Sequence, residues 1–389
     1  MAITVESSPS SLSKLSDSLE FVFKMSSIGE GNDTTRMMYQ IQIEGKNGAE
    51  NVTRELDYRP RSADDNFPID IRKDARSHIG IEVPNHKESA AGSSLPKKEL
   101  IRASVNIRIE YWEITFNNLS GLSTEGAKSQ TDYSTVFNAV DSPRALSPVT
   151  ESYCFTTRLC HNQIKEGAED FITLYGAFSL QVAGFDSNGD QVGGLLTSSG
   201  SEGVCEVNIG SRVVAGALGS SVVSYSISYF GGSVTGTPTK IIWNHINREE
   251  RAESVLYYER GLGWGQMTFD YRSFELESSP SYTRRHDYSK AFGSNQNLQQ
   301  STVYQTEVEI VEAVTFVKRD IRVLEDGHNW LRLFLSGMAY MWVVDNRLTI
   351  LRKLNSRNTI GGVDGVVDVQ VEFQLPDVHV NQNGYVFST

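Results

Sequence analysis

Cysteine is scarce in this chain, and long apolar runs are absent from its sequence. Three cysteines occur in 389 residues, at Cys154, Cys160 and Cys205, with no CxxC pair and no histidine at metal-ligand spacing. Such a set predicts buried thiols and excludes a disulfide framework. No stretch reaches the roughly 20 apolar residues of a membrane helix, and the first ten residues have neither a basic start nor an apolar run. We therefore expect no secretion signal, no membrane insertion and synthesis in a cytoplasm.

An excess of basic charge is also missing. The chain carries 36 Lys and Arg against 48 Asp and Glu, a net charge of −12 at pH 7, and its pI is about 5.2. A protein that follows a nucleic-acid backbone needs clustered cations, so we expect no nucleic-acid partner. Apolar residues make up 39% and charged residues 22% of the chain, a composition typical of a folded protein with two or three domains at this length.

Catalytic and metal-binding motifs are absent as well. The sequence has no GxSxG nucleophile elbow, no HExxH zinc helix and no phosphate-binding P-loop, and its seven histidines are scattered. Asp186–Asp190, DSNGD, has the look of a calcium loop, but its glycine comes too early in the loop and the bidentate glutamate is missing. Asn-Gly chemistry between two strand patterns instead predicts a hairpin turn. We expect a protein that is not an enzyme, with no catalytic residue, no cofactor and no metal.

The pattern that is present is alternation of apolar and polar residues, which predicts a mainly β fold. Residues 19–25, 39–43 and 101–111 alternate in this way, so that one side of each strand faces a core and the other faces water. Residues 69–79 form the one short helical stretch in this part of the sequence. We predict tandem antiparallel β-sandwich-like domains, the first of them spanning residues 1–118.

A second β-rich domain is predicted over residues 119–240. It follows a soft segment, 117–148, that is rich in Ser, Thr, Asn and Gly, and we interpret this segment as a connector with a strand near 133–139. Glycine and serine also punctuate 210–221, whereas the strand pattern at 223–229 places serine on one face. That serine face is either a solvated surface or a flat surface that another subunit or a ligand covers.

The third predicted domain, 241–389, combines strands with one helix. A long strand pattern covers 303–317, and a helical repeat covers 323–336. The apolar residues that recur at helical spacing are Trp330, Phe334 and Met338. Clean alternation at 367–375 closes the pattern, so we predict that this domain is a β-sandwich with a single packed α-helix.

A glycine-spaced tryptophan stands at the centre of the C-terminal region. Gly261, Gly263 and Gly265 alternate with two large apolar residues, one of them Trp264, and strand-like alternation follows directly. A phosphate-binding glycine loop would require a helix at that point. We therefore interpret these three glycines and the tryptophan as a tight structural corner. We expect the corner to enter the C-terminal sheet, with Trp264 packed beneath the helix that carries Trp330.

Aromatic residues are 10% of the chain and crowd its C-terminal third. Aromatic side chains together with arginine are typical of interface cores, and the same combination suits sugar platforms. Within the polar stretch 278–300, which we predict to be a loop, Tyr282, Arg284, Arg285 and Tyr288 form the candidate interaction set. These four side chains either contact a partner or lie in solvent.

A family resemblance is carried by five stretches: MAITVESSPSSLSKLSDSLEFVF, RMMYQIQIEG, YRPRSADDNFPIDI, YYERGLGWGQMTFDYRSF and HNWLRLFLSGMAYMWV. They resemble β-rich virion structural proteins of tailed bacteriophages that infect Bacteroidetes-type hosts, and they leave the middle of the chain without a counterpart. The resemblance implies a tail-tip or baseplate component that assembles as a symmetric ring beside neighbouring virion proteins. It supplies no catalytic residue. The polar stretch 278–300 departs from a simple tube role and could be an arm between subunits.

These observations lead to one hypothesis about function and to several alternatives. We expect a non-enzymatic structural component of a virion, made in the host cytoplasm, that acts through contacts with its own copies and with neighbouring virion proteins. A receptor- or carbohydrate-binding adhesin that contacts a host surface glycan is the first alternative. A head fibre or decoration protein is the second, and a glycan hydrolase with a site assembled across distant strands is the third.

Overall fold

The structure of the chain, a computed structural model, is mainly β, as predicted. The residues that it describes are 3–26, 33–45, 48–50, 56–58, 65–140, 149–155, 161–232, 237–259, 262–284, 304–322, 334–344, 347–361 and 366–375. Within these ranges the strands pair antiparallel except for two parallel pairs. In the same ranges, no helix is both long and apolar enough to cross a membrane.

The N-terminal elements form two facing sheets. In chain order they are β1 (Ile3–Ser7), β2 (Leu12–Lys14), β3 (Glu20–Met25), β4 (Asp33–Gly45), β5 (Gly48–Glu50), β6 (Leu56–Tyr58), β7 (Asn66–Asp70), α1 (Arg72–His78), β8 (Lys97–Glu99), β9 (Ser104–Asn117), β10 (Ser123–Glu125), β11 (Ser129–Gln130) and β12 (Ser134–Phe137). One sheet has the order β1-β3-β7, and the other is built on β2-β12-β9-β4-β5. Their shared core includes Phe21 and Phe23 of β3, Ile41 of β4 and Ile107 of β9. The helix predicted within 69–79 is confirmed as α1.

The middle elements also form two sheets around one core. They are β13 (Ser152–Cys154), β14 (His161–Lys165), β15 (Phe171–Gly176), β16 (Phe178–Phe185), β17 (Gln191–Gly200), β18 (Val204–Asn208), α2 (Ser211–Leu218), β19 (Ser224–Gly231) and β20 (Lys240–Asn247). The sheets have the orders β13-β15-β18-β8 and β14-β20-β19-β16-β17. Leu174 and Val207 from the first sheet, Leu180 and Ile227 from the second, and Val214 of α2 share the core.

Helix α2 was not predicted from the sequence. It occupies part of 210–221, where glycine and serine indicated turns. Val213 of the helix is buried in the middle core, and the Ser211 hydroxyl donates to the Lys165 carbonyl at 2.5 Å. Tertiary packing of this kind stabilises helices whose intrinsic propensity is poor.

The C-terminal strands form one sheet that curls round on itself. They are β21 (Glu253–Tyr258), β22 (Trp264–Phe269), β23 (Tyr271–Arg284), β24 (Tyr304–Arg322), β25 (Tyr340–Val344), β26 (Arg347–Gly361) and β27 (Val366–Gln374). Their order is β22-β21-β25-β26-β27-β24-β23. The first and last strands of this order are joined through Asp270 alone, which is why the sheet encloses a core. Tyr257, Phe269, Phe316 and Phe373 are fully buried in it.

The sheets continue across the positions at which we expected domains to end. Strands β10, β11 and β12 lie beyond residue 118 but pair with β9, and β8 pairs with β18 of the middle region. The predicted connector 117–148 is therefore wrong in its first part, because that part supplies strands to the N-terminal sheet. The strand predicted near 133–139 is confirmed as β12.

The predicted loop 278–300 is wrong at its start. Strand β23 continues to Arg284 and pairs with β24 along its whole length, since serine and threonine on a two-stranded hairpin need no apolar alternation to keep their backbone bonds. The strands predicted at 303–317 and 367–375 are confirmed as β24 and β27.

Most of the helix predicted over 323–336 lies outside the described residues. Phe334 and Leu335 at its end are helical, and Phe334 is fully buried in the C-terminal core. The two helices in the described ranges, α1 and α2, belong to the N-terminal and middle regions.

Candidate functional site

The β23–β24 hairpin continues past the strands beside it. Strand β27 pairs with β24 only from Ala313 onwards, whereas β23 pairs with β24 along its whole length. Among the described residues, Leu276–Arg284 and Tyr304–Glu312 therefore have only each other as strand partners. We term this two-stranded part the ribbon. At about 3.3 Å per residue it is roughly 30 Å long.

Two of the predicted interaction residues lie at the far end of the ribbon. Tyr282 is opposite Thr306 in the strand register, and Arg284 is opposite Tyr304. Arg285 and Tyr288 lie outside the described residues. The backbone thus places Tyr282 and Arg284 on a strand rather than in a loop, and their contact with a partner stays a prediction.

The glycine–tryptophan corner connects β21 to β22 and is closed by backbone hydrogen bonds. The Glu259 N–H donates to the Gly263 carbonyl at 2.7 Å, and the Leu262 N–H donates to the Glu259 carbonyl at 3.2 Å. Leu262 and Gly263 have φ angles of +79° and +126°. Glycine adopts such angles at little cost, whereas leucine does so only when its surroundings hold it there. Leu262 is held by burial, at 1% exposure.

Two of the corner glycines are closely covered, Gly263 by the middle sheet and Gly265 by side chains of β21 and the corner itself. A Cβ at Gly263 would lie 2.2 Å from the Thr173 hydroxyl oxygen on β15. A Cβ at Gly265 would lie 2.8 Å from a Glu259 carboxylate oxygen. Both distances are too short for a Cβ, so the Thr173 or Glu259 side chain would have to move. Gly261, the remaining predicted corner glycine, lies outside the described residues.

Trp264 anchors the corner in a direction that we did not expect. Its ring is 2% exposed and packs edge-on against Tyr258, with ring centroids 5.4 Å apart. The indole N–H donates to the Glu82 carbonyl at 2.8 Å. Phe334, the described end of the predicted helix, belongs to the separate C-terminal core. The expectation that Trp264 packs beneath this helix is therefore wrong for the described end of the helix, because Phe334 and Trp264 lie in different cores. The rest of the helix, including Trp330, lies outside the described residues.

Trp264 belongs to a core that joins all three parts of the chain, which we term the junction core. Its larger buried side chains are Phe137, Phe155, Phe171, Leu256, Tyr258, Leu262, Trp264 and Met341. Strand β18 separates this core from the middle core, and all five of its residues are buried. Cys205 and Val207 point into the middle core, and Val204 points into the junction core. Because strand side chains alternate, Glu206 is on the junction side.

Residues 79–90 run from α1 to the junction core without forming a helix or strand, and we term them the crossing segment. The Glu82 carboxylate accepts a hydrogen bond from the Arg102 N–H at 2.7 Å and lies 3.4 Å from Lys98 Nζ. These contacts fix the residue whose carbonyl accepts the indole N–H of Trp264. The crossing segment is thereby connected to both the N-terminal and the C-terminal parts.

The buried carboxyl of Glu206 lies next to the crossing segment. Glu206, 2% exposed, is opposite Thr173 in the β15–β18 register. One carboxyl oxygen accepts from the Asn85 N–H at 3.4 Å, and the other has no hydrogen-bond partner. Burial raises the pKa of Glu206 to about 8, although the Asn85 bond and the Lys98 charge oppose the shift. Burial also raises the pKa of Tyr258, and the nearby Glu206 adds to that shift.

A second buried carboxyl holds the crossing segment from the middle region. Glu169, 3% exposed, pairs with the guanidinium of Arg212 on α2 and accepts from Asn208 Nδ2 at 2.6 Å. Arg212 also donates to the carbonyls of His86 and Glu88, at 2.8 Å each. Every charge in this set has a partner, as buried ions require.

The junction is suited to holding parts of the chain together rather than to chemistry on a substrate. A strongly raised carboxyl pKa is also a property of catalytic acids. However, Glu206 and Tyr258 are only 2% and 3% exposed, so a substrate does not reach them in this conformation. The corner packs on β15 and the crossing segment contacts Glu206 of β18, and burial raises both pKa values.

The segment that resembles a calcium loop, Asp186–Asp190, forms a hairpin turn. Asp186 Oδ1 accepts hydrogen bonds from the N–H groups of Asn188 and Asp190, at 2.8 and 3.0 Å, so the predicted β16–β17 hairpin turn is confirmed. His161 and His245 lie with their rings 6.4 Å apart. In the part of the chain that the structure describes, no group of three or more His, Cys, Asp or Glu side chains could hold a metal ion.

The sequence matches no family model, and no curated protein matches it. A function for this chain therefore has to follow from the ribbon, the junction core and the exposed surfaces.

Proposed function

We propose that the protein is a non-enzymatic structural component of a tailed-phage virion, in the tail tip or baseplate. It acts by assembling with copies of itself in a ring and with neighbouring virion proteins. The ribbon is the observation that carries the assembly part of this proposal. The five sequence stretches that resemble phage virion proteins support the virion part.

The ribbon has the properties of an assembly arm. An isolated two-stranded hairpin is marginally stable in water, and the described residues provide no third strand for Leu276–Arg284 or Tyr304–Glu312. Among the described residues, no other strand pairs with its outer edges, and the backbone N–H and C=O groups of such an edge can pair with an added strand. A neighbouring copy that adds a strand to such an edge satisfies these groups and orders the ribbon. Repetition of one such contact around an axis closes a ring.

The experiment that tests assembly removes the ribbon and leaves the rest of the sheet intact. Glu275 and Ala313 are directly opposite each other, so an Asn-Gly dipeptide between them closes a two-residue hairpin in place of residues 276–312. We expect the full chain to form a concentration-dependent oligomer by light scattering, and the shortened chain to be monomeric with an unchanged melting temperature. A shortened chain that assembles like the full chain would contradict the proposal, as would a full chain that is monomeric at every concentration.

A matched control changes an exposed apolar turn in another part of the molecule. Leu119 and Leu122, at the β9–β10 turn, are 80% and 71% exposed. Replacing both by serine removes apolar surface without touching the ribbon, so we expect assembly to persist. Detection of the protein by mass spectrometry in purified phage particles tests the virion part separately. Its absence from particles would refute that part and leave assembly through the ribbon standing.

A further inference from the structure

A cleft of about 710 Å³ opens at the base of the ribbon, where the β20–β21 connection meets the start of β23. It is lined by Glu250, Arg251, Glu253, Tyr271 and Arg272. Its volume lies within the range of small-molecule sites in proteins. None of these residues belongs to the ribbon or the corner, so the cleft requires an explanation of its own.

Arg272 is the cation of the cleft that an ion pair and an aromatic ring hold in place. Its Nη1 lies 2.6 Å from Glu253 Oε1, and its guanidinium carbon lies 4.7 Å from the ring centroid of Trp342. Lys165 Nζ approaches the other Glu253 oxygen at 3.1 Å, and the Trp342 indole N–H donates to the same oxygen at 3.3 Å. The guanidinium is thus held before any ligand arrives, which lowers the entropic cost of binding.

An exposed aromatic ring flanks this guanidinium. Phe274 is 57% exposed, and the guanidinium carbon of Arg272 lies 5.2 Å from its ring centroid. A single exposed apolar residue needs no explanation in itself. Here, however, the ring lies next to Arg272, which lines the cleft, and the Trp342 ring is 6.2 Å from it. That arrangement offers an apolar face next to fixed hydrogen-bonding groups.

The lining of the cleft contains two arginines and two glutamates, so its formal charges cancel. Arg251 and Arg272 supply N–H donors only, whereas Glu250 and Glu253 supply acceptors only. A sugar hydroxyl is both donor and acceptor, so neighbouring hydroxyls of one ring can bond a guanidinium and a carboxylate together, while the C–H face of the ring packs on an aromatic side chain. An anionic ligand would meet the Glu250 carboxylate in a protein whose net charge is −12.

We propose that this cleft binds a neutral saccharide. Its C–H face packs on Phe274, and its hydroxyls lie between the guanidinium groups of Arg251 and Arg272 and the carboxylate of Glu250. Glu253 positions Arg272 rather than contacting the sugar, because both of its oxygens already have partners. The site is independent of assembly through the ribbon.

The test uses the full-length protein and saturation-transfer NMR, which detects millimolar binding. The probes are cellotriose, maltotriose and mannotriose as neutral trisaccharides, with trigalacturonate as the acidic comparison of the same length. We expect at least one neutral trisaccharide to bind and trigalacturonate to bind at least tenfold more weakly. Binding of none of the neutral probes, or tighter binding of trigalacturonate, would overturn the proposal.

Two variants and one control locate the site. Phe274→Ala and Arg251→Gln alter exposed side chains, so both proteins should fold, as circular dichroism and the melting temperature will check. We expect each to weaken binding of the neutral trisaccharide by tenfold or more. The control is Ile350→Ala, a change at an exposed apolar residue of β26 that does not line the cleft, and it should leave binding unchanged. Equal binding by wild type and Phe274→Ala would refute the assigned site.

Discussion

Replacing Glu206 by glutamine should remove a loss of stability that the wild-type protein shows as pH rises. The pKa of the carboxyl is about 8 in the folded chain, against 4.5 for the unperturbed group. Below about pH 4.5 both states hold the proton, and the full stability is present. Between pH 4.5 and 8 the unfolded chain releases the proton that the folded chain retains, so the free energy of unfolding falls as pH rises. Above pH 8 both states are ionised, and the loss is complete.

The size of this loss follows from the shift. Each pKa unit corresponds to about 1.4 kcal/mol, which puts the loss between pH 4.5 and 8 on the order of 4–5 kcal/mol. This figure is an upper limit, since a small displacement of the crossing segment would bring water to the ionised carboxylate. Glutamine has nearly the same shape, keeps an acceptor for the Asn85 N–H and does not ionise, so the Glu206→Gln protein should lack this slope.

The assay is urea unfolding at pH 5, 6.5, 8 and 9, followed by tryptophan fluorescence. We expect wild type and Glu206→Gln to be similar at pH 5, and the variant to be more stable by about 2 kcal/mol or more at pH 9. The matched control is Glu202→Gln, an exposed carboxyl nearby in the chain, which should follow wild type throughout. Stability curves for wild type and Glu206→Gln that stay parallel from pH 5 to 9 would show that the carboxyl is not buried as described.

Substitutions at Trp264, Gly263 and Arg212 test the junction further. Trp264→Ala should lower the free energy of unfolding by about 3–5 kcal/mol, because it truncates a large core side chain. Trp264→Phe should lower it by about 1–3 kcal/mol, because the Glu82 carbonyl of the crossing segment loses its hydrogen-bond donor. Chemical denaturation distinguishes the two variants. Gly263→Ala should lower the melting temperature clearly, since the added Cβ meets β15, whereas Gly194→Ala, which meets nothing within 4 Å, should not. Arg212→Met should lower the free energy of unfolding by about 3–5 kcal/mol, because the buried Glu169 carboxylate loses its cation. In the same assay, the double variant with Glu169→Gln should recover part of this loss.

For strands with one solvent-exposed face, the sequence predicted both the strand and its surroundings, whereas for β22, which is buried on both faces, it predicted only the strand. In β9 and β27 buried and more exposed residues alternate, so the pattern was visible as a period of two. All six residues of β22 are buried instead. Its polar members Gln266 and Thr268 satisfy their side chains internally, with Gln266 Nε2 donating to the Gln163 carbonyl at 2.8 Å. The alternating sequence correctly predicted a strand there, but alternation indicates a solvent-exposed face that β22 does not have.

The buried charges of the junction were missed for the same reason. Glu206 interrupts an apolar run, and an acid in that position normally marks the solvent face of a strand. Only the arrival of the crossing segment and the corner from distant parts of the chain buries it. Glu169 and Arg212 are likewise 43 residues apart. One signal was available, because a strand with a single acid among valines and cysteine, followed at once by a small-residue helix, differs from the alternating strands elsewhere.

The corner and the ribbon are two ends of one stretch of chain, and this connects the buried junction to the proposed assembly. Strand β22 leaves the corner and becomes β23 after Asp270, whose N–H donates to the Val317 carbonyl at 2.9 Å. Lys318 Nζ then donates to the Thr268 carbonyl at 2.7 Å, which ties β24 to the end of β22. A marginally stable ribbon positions a neighbouring subunit only if its base is fixed. If the glycine–tryptophan corner helps to hold that base, a change such as Gly263→Ala should weaken assembly as well as folding, although Gly263 is not part of the ribbon.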